Sequence, residues 1–148
     1  MTQLPPQGSR QLSPRLRMSL AVAGLSLLAP LAVAGCLRPS PLGFGTHQQL
    51  GLPPCTFVWL FGIRCPSCGM TTSWSHAVRG QWLASVRSNG GGAALAATAM
   101  IVGPWLVASA VAGRWLLRPP SDRAVAAVAT GFIIITLIDW IYRLFTSV

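Results

Sequence analysis

Lysine is missing from this sequence altogether, and its 148 residues hold only two acids, Asp122 and Asp139. Charged side chains make up 9% of the chain, against roughly 25% in ordinary soluble domains. That poverty excludes an ordinary water-soluble globular domain. It also leaves no serine or cysteine nucleophile with a matching base and acid, so the sequence points away from catalysis. Gly90-Gly91-Gly92 lacks the Lys-Ser/Thr of a phosphate loop and reads as a flexible start to a helix. There is no internal repeat and no sign of a second soluble domain.

Apolar residues are abundant instead, at 52% of the chain, together with 11 arginines. A net charge of +9 raises the question of nucleic-acid binding. The arginines, however, stand singly, mainly at the ends of apolar stretches, and form no basic run. This marks them as topology and headgroup anchors. The partner implied is the lipid bilayer, not nucleic acid.

Residues 1–17 are rich in Pro, Gln, Ser and Arg without an apolar period, the composition of a disordered tail. Residues 18–148 read as one membrane domain with three spans, near 18–37, 91–113 and 124–145. Each is close to the roughly 20 residues that a spanning helix needs. Gly103-Pro104 is expected to bend the second span, because Pro removes a backbone donor. Ala127 and Gly131 offer the third span a small-residue packing face. The first span has a competing reading. Arg15, Arg17, the apolar run and Val33-Ala34-Gly35-Cys36 resemble a lipoprotein signal cut before a lipidated Cys36. The apolar stretch is longer than a signal core, which favours a retained helix.

Arg10, Arg15 and Arg17 precede the first span, and Arg114, Arg118 and Arg123 crowd the link between the other two. Arg38, Arg64, Arg79 and Arg87 are spread thinly over the intervening segment, 38–90. The positive-inside rule then puts the N-terminus in the cytoplasm of a multi-pass inner-membrane protein, with segment 38–90 extracytoplasmic.

Within that segment, Phe57 to Ile63 is too short to span and should dip into the interface or pack on the bundle. Met70 to Ser88 reads as a single helix. Trp74, Val78, Trp82 and Val86 recur every four residues, with His76, Arg79 and Arg87 largely opposite, which suits a membrane interface and equally a helix packed on the three spans through its aromatic stripe. Ahead of it stands Cys65-Pro66-Ser67-Cys68-Gly69-Met70. A cysteine at a helix N-terminus is biased toward thiolate. Pro66 fixes one backbone angle between the sulfurs, and Gly69 allows the close N–H approach that a sulfur-binding turn needs. Such a turn serves a metal knuckle, a redox pair or a structural disulfide. No cofactor is demanded by the sequence, but zinc is open to it: Cys55, Cys65 and Cys68 supply three ligands for a tetrahedral ion, and His76 or His47 a fourth. Only one Cys-x-x-Cys is present, where zinc knuckles usually come in pairs. In redox chemistry Cys65 and Cys68 would cycle, with Cys55 resolving or idle. A structural disulfide outside the cytoplasm needs no further residue. Cys36, at the end of the first span, stands apart.

Cys55, Gly62, Cys65-Pro66-Ser67-Cys68-Gly69-Met70-Thr71, Gly80, Ala84 and Asn89 together resemble a family of small bacterial membrane proteins with no assigned biochemical function. Its signature is Cys-Pro-x-Cys-Gly-[Leu/Met]-Thr-Arg, with an upstream Cys and a later Asn-Pro leading into a span. The similarity covers roughly residues 50–145, including Asp139-Trp140-Ile141-Tyr142-Arg143. It implies a fold but no reaction, and Gly69 and Thr71 count as structural parts of its turn. Two positions depart from the pattern: its final Arg is Thr72 here, and its Pro after Asn89 is Gly90. An anion contact made by that Arg would be lost or taken over by Arg79.

Asp139 is the one acid inside a span, and such acids often serve proton or ion paths. Arg143, one helical turn on, offers a plain structural ion pair instead, with Arg79 or His76 as other partners. The sequence therefore reads as an all-α integral membrane protein with three spans and a cysteine loop bearing an interfacial helix. Its cysteine turn is a structural or metal-binding element in a non-enzymatic protein. Two alternatives stand: a membrane thiol–disulfide oxidoreductase using Cys65 and Cys68, and a transporter or complex subunit using Asp139 with a membrane-protein partner.

Overall fold

The computed structural model describes residues 11–146, and every regular element among them is helical. Ser13 opens the first helix, α1 (Pro14–Cys36), its Oγ accepting from the Leu16 N–H at 3.3 Å. Pro14 sits in the first turn, where no backbone donor is lost. Helix therefore begins inside the stretch expected to be a tail, because a Ser-Pro start signal outweighs its composition. Residues 1–10 of that tail lie outside the described residues. A 3₁₀ turn (Thr46–Leu50) follows, then α2 (Thr56–Phe61), α3 (Met70–Ala77), α4 (Trp82–Ser88), α5 (Gly90–Ala112) and α6 (Asp122–Thr146). Helices α1, α5 and α6 are long and apolar enough to cross a membrane, as expected of a multi-pass protein in contact with lipid.

Helix α5 is the centre, with α1 antiparallel along it. The Leu12 N–H donates to the Gly113 carbonyl at 2.8 Å, and Arg17 donates to the carbonyls of Ala110 and Val111. A cation thus meets the negative end of the α5 dipole. The two backbones approach closely through glycine. A Cβ on Gly24 would lie 2.7 Å from Val107 Cγ2, and one on Gly103 would lie 2.8 Å from the Leu28 side chain. Helix α6 packs on α5 but not on α1. Its Ala127 is exposed, and a Cβ on Gly131 would meet nothing within 4 Å. The small-residue contact expected on the third span is thus found between the first two.

The helix expected over Met70–Ser88 is two helices. Gly80, at φ +73°, makes the break, since a side chain rarely tolerates that backbone conformation. Helix α3 turns Trp74 and Val78 onto a core of Leu31, Ala77, Ala96 and Ala99. Helix α4 leaves Trp82 and Val86 exposed. The four-residue ladder is therefore divided between a packed helix and an exposed one. Helix α2 packs on no other helix, and its Trp59, Leu60 and Phe61 are exposed.

Candidate metal centre

The cysteine turn begins with two short backbone bonds, Cys68 N–H to the Cys65 carbonyl at 3.0 Å and Met70 N–H to the Ser67 carbonyl at 3.1 Å. Gly69, at φ +88°, then swings the chain into α3. A Cβ there would lie 2.5 Å from the Ser88 carbonyl oxygen and 2.6 Å from that of Gly43, so both conformation and packing require glycine. Cys55 stands just before α2. The two segments converge: the sulfurs of Cys55, Cys65 and Cys68 all lie within 4.8 Å of one another. They share the wall of a cavity of about 220 Å³ with His47, Met70 and Thr71. All four cysteines are free thiols, and Cys36, exposed at the end of α1, lies outside the group.

The thiols are electrostatically unequal. Burial, reinforced by Cys55, pushes the Cys68 thiol up to about 12. Burial acts on Cys55 as well, but the Val58 N–H, the Cys68 and Cys65 thiols and the Phe57 N–H outweigh it and bring Cys55 down to about 7. One sulfur is therefore poised as thiolate near neutrality while a neighbour holds its proton.

Behind the sulfurs, the carbonyls of alternate residues are gripped by side chains at the ends of α5 and α6. Trp140 Nε1 donates to the Arg64 carbonyl at 2.7 Å. Asn89 Nδ2 donates to those of Pro66 and Cys68 at 2.9 and 3.0 Å. Arg143 reaches the same pair, through Nη1 to Cys68 at 2.8 Å and Nη2 to Pro66 at 3.2 Å. Asn89 is fully buried, and its Oδ1 also accepts from the Gly92 N–H at 2.6 Å, capping α5. The Asp139–Arg143 pair expected from their spacing is present, with Oδ2 2.8 Å from Nη2. Oδ2 has no aligned hydrogen-bond donor, so this is a charge contact. Gly90 leaves room for it, because a Cβ there would lie 3.1 Å from Asp139 Oδ1.

The other residues singled out in the sequence sit elsewhere. His76 is not among the converging ligand atoms; its Nδ1 lies 2.6 Å from Gln81 Oε1, at the end of α3. Arg79 donates to the carbonyls of Gly35 and Leu37 and to Ser75, closing the end of α1. Neither partners Asp139. Thr72 is fully buried and bonded to Thr46 Oγ1 at 2.7 Å. Asn89, placed before a glycine run that opens a span, carried the signal of a cap, but nothing local announced its second bond to the turn.

A family model described as Protein of unknown function (DUF2752) matches residues 55–103. The match opens on Cys55 and takes in the turn, Asn89 and the first half of α5. Asp139, Trp140 and Arg143 fall beyond it. No curated protein and no solved structure matches the chain.

Proposed function

We propose that this is a non-enzymatic inner-membrane protein whose Cys55, Cys65 and Cys68 hold one thiophilic metal ion, zinc foremost. The metal would fasten the extracytoplasmic segment to the ends of α5 and α6. One observation carries this reading: three free sulfurs from two chain segments converge within 4.8 Å in one cavity. A tetrahedral site with Zn–S near 2.3 Å sets sulfurs roughly 3.8 Å apart, which lies inside the 4.8 Å limit that these three already meet. The gripped carbonyls at 64, 66 and 68 support a structural role, because they fix the backbone that carries two of the ligands. The antiparallel packing of α1 on α5 supports the orientation. It gathers Arg17 and Arg114 at one end of the bundle, with the cysteine segment at the other. Asp139, held by Arg143, favours an ion pair over an ion path.

Metal analysis of protein purified from membranes tests the reading. About one equivalent of zinc per chain is expected, lost on Cys55→Ser, Cys65→Ser or Cys68→Ser, and unchanged by Cys36→Ser. Retention by the Cys55 variant would reject the cluster. An impermeant thiol reagent on intact cells, applied after chelation, tests the side, and labelling only after lysis reverses the orientation. Thiol–disulfide exchange is the second reading, favoured by Cys55 standing beside a Cys-x-x-Cys turn within reach of both sulfurs. It predicts a reversible Cys-to-Cys bond and no bound metal.

A further inference from the structure

Three sulfurs leave a tetrahedral ion one ligand short. His76, eight residues past Cys68, is engaged with Gln81 at the far end of α3. His47 stands in a different position. It lines the same cavity as the three sulfurs. Its ring is already oriented, since Nε2 lies 3.1 Å from the Pro53 carbonyl oxygen. A carbonyl can only accept, so Nε2 carries the proton and, in the neutral ring, Nδ1 carries the free lone pair. Metal-bound histidines typically show this arrangement, with one nitrogen donating to a backbone carbonyl and the other on the ion. Here the carbonyl belongs to the residue two before Cys55, so the orienting group and a ligand move together.

The backbone around His47 suits the role. Thr46, fully buried, bonds Thr72 Oγ1 at 2.7 Å and the Ser40 N–H at 3.0 Å, which fastens the 3₁₀ turn beside the start of α3. Gly45 and Gly51 bracket the turn at φ +85° and +76°. No ring nitrogen of His47 joins the 4.8 Å group, so coordination draws the imidazole inward about an anchored neighbour.

We propose that His47, through Nδ1, is the fourth ligand of the metal centre, which makes it a closed Cys₃His site. This rests on the three-thiolate reading above. The test is cobalt(II) titration of the metal-free full-length protein in detergent, read by absorption. Wild type should show sulfur-to-cobalt charge transfer and the visible bands of a four-coordinate ion, indifferent to added imidazole. His47→Ala should keep the charge transfer, shift the visible bands, weaken affinity by at least about tenfold, and return to the wild-type spectrum with imidazole. His47→Gln, whose amide can still donate to Pro53, should show the same shift, which separates ligation from folding. His76→Ala should change nothing. Cobalt bound through sulfur with an unaltered spectrum in both His47 variants overturns the fourth ligand alone. No sulfur-to-cobalt charge transfer in wild type overturns the three-thiolate reading, and this inference with it.

Discussion

Arg143 Nη1 donates to the Cys68 carbonyl at 2.8 Å, joining residues 75 positions apart. The contact brings the last turn of α6 under the cysteine turn, where Arg143 is 7% exposed. Asp139 balances its charge from within the same helix. The pair read from spacing as a local ion pair is therefore also a fixture of the cysteine site.

Arg143→Met should cost about 3 kcal/mol, because it strands a largely buried carboxylate and leaves the Pro66 and Cys68 carbonyls with Asn89 alone. Pairing it with Asp139→Asn should cost less than the two single changes added together, since each removes the other's reason for burial. Thermal melts of the four proteins in one detergent decide this. Simple additivity would mean that the pair does not act as a unit.

Asn89 separates cap from clamp. Asn89→Asp keeps an acceptor for the Gly92 N–H but turns a carboxylate oxygen toward the Pro66 and Cys68 carbonyls. Metal retention should fall while helicity holds. Asn89→Ala should lose both, with about 1 kcal/mol from the cap alone. Circular dichroism and metal content, measured on the same samples, tell the two apart.

Gly69→Ala should disrupt the cluster, adding roughly 1–2 kcal/mol of left-handed strain to a clash with two backbone carbonyls. Gly131→Ala, facing open space on α6, should stay within about 0.5 kcal/mol of wild type. A bifunctional thiol cross-linker bridging Cys55 to the turn reads the outcome. Undiminished bridging in the Gly69 variant would contradict the packing described.

Reactivity should follow the order of the thiols. The nucleophile is the thiolate, so alkylation of metal-free Cys55 rises as pH passes about 7, where its proton leaves. Cys68, raised to about 12, stays protonated and slow through the whole interval. Mass spectrometry after brief iodoacetamide treatment at pH 6, 7 and 8 tests this, and Cys68 reacting ahead of Cys55 would refute the ordering.

Composition and spacing carried the parts of this fold that repeat along the chain. Three apolar runs gave three spans, and Cys55 with Cys-x-x-Cys gave the sulfur cluster, because the short α2 and the left-handed turn at Gly62 fold the ten intervening residues back on themselves. The break at Gly80 was harder to see, since the apolar ladder continues across it and tertiary packing alone shows which half is inside. His76 and His47 each stand eight residues from a cysteine of the group, Cys68 and Cys55 respectively, yet only His47 shares the cavity of the three. A helix carries eight residues away from its start, whereas the buried Thr46–Thr72 bond brings a distant loop back. The carbonyl grips of Asn89, Trp140 and Arg143 had no local signature, because backbone acceptors carry no residue type.

The Arg143–Cys68 bond also sets an order of events during synthesis. At about 5–20 residues per second, the ribosome needs roughly 4–15 s to reach Arg143 after making Cys68. Throughout that interval the newborn thiols lack their last support, and any ion or oxidant in their compartment meets them in a looser turn. Chains stalled before residue 143 should therefore expose those sulfurs to capture or oxidation that finished chains resist.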